Sequence, residues 1–420
     1  MDMGTTTVQL QQLAWYENNE FEIQFPDSWE VTTCYMKGHD RPPLNDQGFR
    51  EAFANPIGTK PIRELARGKN DVVILFDDMS RPTRVAKIIP YVLEELEAAG
   101  IKDSSIRFIA AVGTHGALNR IDFAKKLGEN VLSRFPVYNH NPYENCIPLG
   151  TTSRGTPLAV NSEFMGCDFK ISIGSILPHY LTGFSGGGKI IMPGVASIDT
   201  MFHNHGIIAA ESIARGESME TWSAKFETNE FRLDMAEAAE MAGLDVEVDA
   251  VLNGRCETTA LFVGHPAYAH LEGVKLAREV YATQPIRNQD ITILNTYAKA
   301  SEAFILPLSW TAKMMLKDKG DMVVISNAPE GQVTHYLAGP SGEKTGGRLW
   351  LPRTTLPPNI TRFILLTPYV DLAGAAWLAP RESIVWARTW PEALKLLTET
   401  YGDSAKVAVI PDATMQYFTW

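Results

Sequence analysis

The chain has 420 residues, 45% of them hydrophobic, and a formal net charge of −11. Its length suits two domains with sizeable cores, and its acidic balance argues against nonspecific nucleic-acid binding, which needs Lys and Arg to neutralise phosphates. The four cysteines, Cys34, Cys146, Cys167 and Cys256, form no CxxC pair. That sets aside a zinc knuckle or a disulfide framework and leaves reduced thiols.

The opening stretch MDMGTTTVQLQQLAWYENNEF has no apolar signal core, and no run reaches the roughly 18 apolar residues of a membrane span. The expectation is a cytoplasmic protein with no membrane partner. DVVILFDD (71–78) is a continuous apolar run ending in acids, the pattern of a buried parallel strand. RVAKIIPYVLEELEAAG (84–100) follows at helical spacing, with Pro90 inside it and Gly100 as its stop. SIRFIAAV (105–112) and DFKISIGSI (168–176) are the next strands. Such alternation predicts a doubly wound α/β domain. Residues 244–266 read as a hairpin turning at Asn253-Gly254, and 283–289 as a linker. Beyond it the alternation restarts at 290–297, 321–326, 362–370 and 406–413. The fold class is therefore α/β, two domains with mainly parallel sheets and an active site in the cleft between them. The boundaries are 1–282 for the N-terminal cofactor-binding and catalytic domain and 289–410 for the C-terminal domain, with the tail able to return to the first. The Gly-rich stretch 337–350 reads as an exposed loop.

Gly183-Phe-Ser-Gly-Gly-Gly188-Lys189 matches the phosphate-loop pattern G-x-x-x-x-G-K. Glycines let backbone N–H groups close on a phosphate, and the lysine adds charge. Ile190 stands where a hydroxyl should hold Mg²⁺, and LPHYLT separates the loop from its strand. Phosphate contact is retained and nucleotide hydrolysis is not. The bland alternative is a Gly-rich turn that packs one helix on another.

Of nine histidines, His115 (in GTHG) and His179 each follow a strand directly. Ligands of open α/β sheets bind outside the carboxyl ends of strands, so the two imidazoles are expected in one crevice. His203 and His205 are two apart, and one of them is read as a ligand. DDMSRPT (77–83) brings Asp78 and Arg81 to the same rim, where an arginine can grip a carboxylate or phosphate. The alternative is that Asp78 and Arg81 pair with each other or cap the helix.

Asp78-x-x-Arg81-Pro, GTHG with His115, PHYLTGFSGGGK with His179 and Lys189, and NHG with His205 together resemble the nickel-dependent lactate racemase family over most of the chain. The resemblance implies a 2-hydroxyacid racemase or epimerase that works by hydride transfer from C2. Its cofactor is a nickel pincer nucleotide, a pyridinium mononucleotide with two thiocarbonyl arms. It implies a covalent link at Lys189, nickel ligation by His205, and His115 with His179 as the acid/base pair. Asp78, Met79, Ser80, Arg81, Ser185, Gly186, Gly187 and Gly188 would line the cofactor. Accessory proteins for cofactor synthesis and nickel insertion are the expected partners. A planar four-coordinate site suits Ni(II), and two histidines can exchange protons near neutral pH.

Two departures stand out. Lactate racemases carry a Gln and a Lys, three apart, that hold substrate; here the aligned positions are Ile305 and Leu308. Arg81, Lys299, Glu302 and Trp310 are then the substrate candidates, and a side chain larger or more apolar than that of lactate is expected. Glu302, if it faces the pocket, would instead favour a polyhydroxylated acid. Gly188 stands where the family more usually has arginine, which removes one positive charge. The rivals are a P-loop nucleotide enzyme, opposed by Ile190; a zinc hydrolase on His203 and His205, which lacks an HExxH helix; and a cofactor-free binding relative, which would need neither the histidine pair nor the lysine.

Overall fold

A computed structural model of the chain describes residues 5–17, 19–218, 226–305, 314–337 and 355–419. It divides into two compact units, one of Arg41–Val280 with Thr334–Trp350, the other of Met1–Asp40, Tyr281–Val333 and Leu351–Trp420. Among the described residues no helix is long and apolar enough to cross a membrane.

In the first unit six strands lie in the order Thr258–Gly264, Val246–Leu252, Phe169–Ser175, Val72–Asp77, Ile106–Ala111 and Val137–Asn139. Neighbours are parallel except the outer hairpin, Val246–Leu252 with Thr258–Gly264. Every residue of Val72–Asp77 is buried, as a strand covered on both faces requires. Helix Val85–Ala98 turns Val85, Ile88, Ile89, Val92 and Leu96 inward and continues through Pro90. Gly100, at φ +86°, then turns the chain out of the helix. From Val72–Asp77 the chain winds toward Ile106–Ala111, whereas from Phe169–Ser175 it winds the opposite way. The carboxyl ends of these two neighbours mark the topological switch point, where such sheets bind ligands.

The second unit holds another six-stranded sheet, parallel throughout, in the order Ile384–Ala387, Ile360–Leu366, Leu316–Ile325, Gln289–Asn295, Lys406–Ile410 and Glu30–Thr33. The division differs from the boundaries 1–282 and 289–410. Glu30–Thr33 pairs with Lys406–Ile410, and the hairpin Thr5–Gln12/Asn19–Pro26 packs Val8, Leu10, Ile23 and Phe25 on Ile291, Ile293 and Val409. The first forty residues thus group with this sheet. The tail stays here too: Tyr417–Phe418 pairs with Ala282–Thr283, a short strand at the start of the expected linker. All four cysteines are free thiols, and Cys34, Cys167 and Cys256 are buried.

Candidate active site

Asp78 follows the first switch-point strand. Its Oδ2 lies 2.6 Å from His115 Nδ1, and its Oδ1 accepts from the Ser80 amide at 2.9 Å and from the Ser80 hydroxyl at 2.5 Å. Arg81 Nη1 donates to Ser80 Oγ at 2.8 Å. Burial pushes the Asp78 carboxyl upward, yet the His115 ring, Arg81 and Ser80 together hold it well below the usual carboxylate range. The carboxylate therefore orients an imidazole, a role the sequence reading did not assign it. Met79 and Arg81 are half-buried at the same loop.

Lys126, which sequence reading missed, explains the loop's shape. Its Nζ is wholly buried, 2.7 Å from Asp77 Oδ1, and donates to the carbonyls of Asp78 at 2.9 Å and Arg81 at 2.8 Å. Burial pushes Asp77 up to about 6 and Lys126 downward, opposed by their mutual attraction. Thr83 also donates to Asp77 and lies 2.7 Å from Ser175 Oγ, tying the loop to the neighbouring switch-point strand.

The second strand leads into a two-stranded turn, Pro178–His179 with Gly183–Phe184. His179 Nδ1 accepts from the amides of Leu181 and Thr182 at 3.2 and 3.4 Å, and its Nε2 lies 3.3 Å from Lys189 Nζ. Both side chains are buried. Two amides of the glycine loop are taken up within the protein. Gly187 N–H donates to Asp249 Oδ2 at 2.8 Å, Ser185 N–H to Leu177 O at 2.8 Å, and Ser185 Oγ to Ser175 O at 2.9 Å. A Cβ on Gly186 would lie 2.3 Å from Asp249 Oδ2, one on Gly187 2.8 Å from the His270 ring, and one on Gly188 2.4 Å from Met235 O. The glycines are there so that backbone can sit on buried side chains and a helix. These contacts are the ones the packing alternative expects. Lys189 belongs to a four-residue 3₁₀ turn, Gly187–Ile190.

His203 and His205 lie on neither a strand nor an ordinary helix. They open a π-helical segment, His203–Ile208, between the α-helices Ile198–Phe202 and Ala209–Ala214. His203 Nδ1 is engaged by Thr156 Oγ1 at 2.8 Å. His205 Nδ1 is shut away from solvent, with no hydrogen-bond partner among the described residues. Burial lowers the His205 pKa to about 3, helped by the positive fields of Lys189, His335 and His115, so its ring is neutral at physiological pH.

His335 is the other residue missed. Residues 334–336 pair antiparallel with 114–116: Gly116 N–H donates to Thr334 O at 3.0 Å and Tyr336 N–H to Thr114 O at 2.7 Å. This sets the His335 ring edge-on to His115, centroids 4.4 Å apart. Only its place next to a loop with no periodicity hid it. Lys299 and Glu302 belong to the other unit, buried, with Nζ and Oε2 3.3 Å apart. Trp310, Leu308, the Ile305 side chain and 338–350 lie outside the described residues.

The fold and this site define a class: a doubly wound α/β protein whose switch point gathers an acid-oriented histidine, a second histidine beside a buried lysine, and a neutral third imidazole. Comparison with known proteins gives the class a name. Residues 16–216 match the lactate racemase N-terminal domain. The lactate racemase of Thermoanaerobacterium thermosaccharolyticum is 29% identical over 392 residues, spanning 86% of this chain and 88% of its own. That of Lactiplantibacillus plantarum is 28% identical over 382 residues, with 86% and 88% covered. The Thermoanaerobacterium apoprotein structure superposes with a TM-score of 0.71 at 24% identity over 99% of this chain and all of that one. A Thermotoga maritima structure does so at 0.63 and 17% identity, over 92% of this chain and all of that one. The resemblance read from the motifs therefore holds: the chain is similar to the lactate racemases over most of its length.

Proposed function

We propose that the protein is a racemase or epimerase of a 2-hydroxyacid that uses a nickel pincer nucleotide held at Lys189. The observation that carries the reading is the pairing of Lys189 Nζ with His179 Nε2 at 3.3 Å, together with a half-buried His205 whose Nδ1 is shut away from solvent and has no partner among the described residues. These residues fit such a group. A neutral, desolvated imidazole is the form that binds a metal, nitrogen donors suit nickel, and a buried lysine can anchor or neutralise an anion. His205, rather than His203, would complete the metal's coordination, because the His203 Nδ1 is already engaged by Thr156. When bound, the group supplies the acceptor that takes the C2 hydrogen with its electron pair and returns it to either face.

The chain's residues supply placement and protons. Asp78 holds His115 by Nδ1 and so orients the ring that exchanges a proton with the substrate hydroxyl. Backbone amides hold His179 in the opposite sense: they donate to Nδ1, so the neutral ring carries its proton at Nε2. Each histidine serves one enantiomer. Arg81, fixed by Ser80, receives the carboxylate. Ile305 and Leu308, in place of the lactate racemases' Gln and Lys, favour a larger or more apolar side chain than that of lactate. Each extra buried methylene adds about 0.8 kcal/mol.

The test is the intact mass of the full chain produced together with proteins that make the cofactor and insert nickel. A mass adduct that maps to Lys189 and vanishes in Lys189→Ala is expected. Holoprotein that turns over a 2-hydroxyacid without any such adduct would refute the anchor.

A further inference from the structure

A π-helical turn takes one more residue per turn than an α-helix, packs less well, and collects at functional sites. Something must hold it. In this chain the helix from Ile198 to Ala214 passes through the π segment His203–Ile208. Asn204, within it, is fully buried, and its Nδ2 donates to Asp234 Oδ2 at 2.7 Å. Asp234 is also fully buried, on the helix Glu230–Ala242. The same Oδ2 accepts from Thr156 Oγ1 at 2.7 Å, and Oδ1 accepts from Thr152 Oγ1 at 2.6 Å. Thr156 Oγ1 in turn meets His203 Nδ1 at 2.8 Å. One carboxyl thus gathers both residues that precede His205, one directly and one through a hydroxyl.

The loop supplying the hydroxyls is itself closed: Thr152 N–H donates to Thr156 O at 2.9 Å, and Gly155 N–H to Thr152 O at 2.9 Å. The carboxyl therefore has a fixed frame on one side and the π turn on the other. His205 Nδ1, by contrast, has no hydrogen bond among the described residues to aim it. Its direction comes from the backbone beneath it. A one-residue relaxation toward α register would swing the ring by roughly 100° about the helix axis.

We infer that Asp234 is the positioning residue for His205. It holds Asn204 directly and His203 through Thr156, fixes the π-helical register, and so aims an imidazole it never touches. The inference rests on the reading of His205 as the metal ligand given above. Residues that orient ligands from behind change metal affinity about 10- to 100-fold when lost.

Asp234→Asn leaves one acceptor oxygen where there were two, so either Asn204 and Thr156 or Thr152 must face an NH₂ group. The exchanged pair Asp234→Asn with Asn204→Asp restores the amide–carboxylate contact with the same net charge. Two readouts on the full chain decide the matter. In nickel-loaded protein, Asp234→Asn is expected to release nickel to a chelator about 10- to 100-fold faster, with the Lys189 adduct retained and the exchanged pair near the parent rate. In cofactor-free protein, the His205 ring resonance, assigned by its loss in His205→Ala, is expected to broaden or split in Asp234→Asn and to return to one line in the exchanged pair. A single unshifted His205 line in folded Asp234→Asn, or an exchanged pair that folds yet stays split, overturns the inference. Nickel release from His205→Ala no faster than from the parent would refute the ligand reading instead, while the resonance still decides the positioning. Should Asp234→Asn not fold, Thr156→Val removes a single tie and is judged by the same two outcomes.

Discussion

Two loops leave the switch point of the first sheet, and they are built in opposite ways. The loop after Val72–Asp77 is made of polar side chains, and a buried cation, Lys126, grips its carbonyls from behind. The loop after Phe169–Ser175 is made of glycines, and a buried anion, Asp249, accepts one of its amides from behind. The first ends in a carboxylate that orients His115; the second ends in a lysine beside His179. In both, the group facing the site is placed by a charged residue on its far side. Pinning of this kind suits a site whose parts must be in position before substrate arrives.

The comparison can be broken at several points. Asp78→Asn keeps the shape of the first loop but removes the charge that holds the His115 tautomer. We expect kcat to fall about 10²- to 10⁴-fold with little change in KM, measured on protein carrying its full complement of nickel. An equal loss from Lys126→Met with an unchanged fold would show that loop shape, not the carboxylate, carries the effect.

In the second loop, Gly186→Ala must place a methyl 2.3 Å from Asp249 Oδ2 at φ +83°. Strain and overpacking together are worth about 2–5 kcal/mol. Gly68, at φ +77° with nothing within 4 Å of its Cβ, is the control. Gly68→Ala should cost about 1–2 kcal/mol. Denaturant melts of the two variants should separate clearly; equal losses would mean that the glycine loop is loose rather than packed.

The smallest effect is expected at His140, which lies in the same unit but serves neither loop. Its Nε2 meets Ala196 O at 2.9 Å, and burial lowers its pKa to about 4. The unfolded chain protonates this ring near pH 6.5 and the folded chain only near 4. The unfolded state therefore binds more protons in that window. Stability is full above about pH 6.5 and declines as pH falls toward 4. A melting-temperature series across this range should lose part of its slope in His140→Asn, and an unchanged slope would assign the acid lability to other groups.

The parallel strands were legible because burial on both faces leaves continuous apolar runs such as VVILFD and ISIGS. The candidate histidines could be picked out because His115 and His179 follow strands directly. What lay hidden was set by contacts distant in sequence. Glu30–Thr33 has no apolar run and owes its place to Lys406–Ile410. Lys126 and Asp234 look like ordinary surface charges on amphipathic helices, since lysine and aspartate are seldom fully buried. The His203 and His205 pair misled by its spacing, because a π turn has no periodicity that a two-residue interval can announce. The glycine loop matched a phosphate-binding pattern, but the pattern does not show that a Cβ on Gly186, Gly187 or Gly188 would meet Asp249, His270 or Met235.

The central claim is that these two loops serve inversion at C2 of a 2-hydroxyacid, and optical rotation tests it most directly. Nickel-loaded protein should carry an enantiopure 2-hydroxyacid with a bulky apolar side chain to zero rotation, faster than it does lactate, and His115→Phe and His179→Phe should abolish the change. Fully loaded wild-type protein that leaves the rotation of every 2-hydroxyacid offered unchanged would contradict the account.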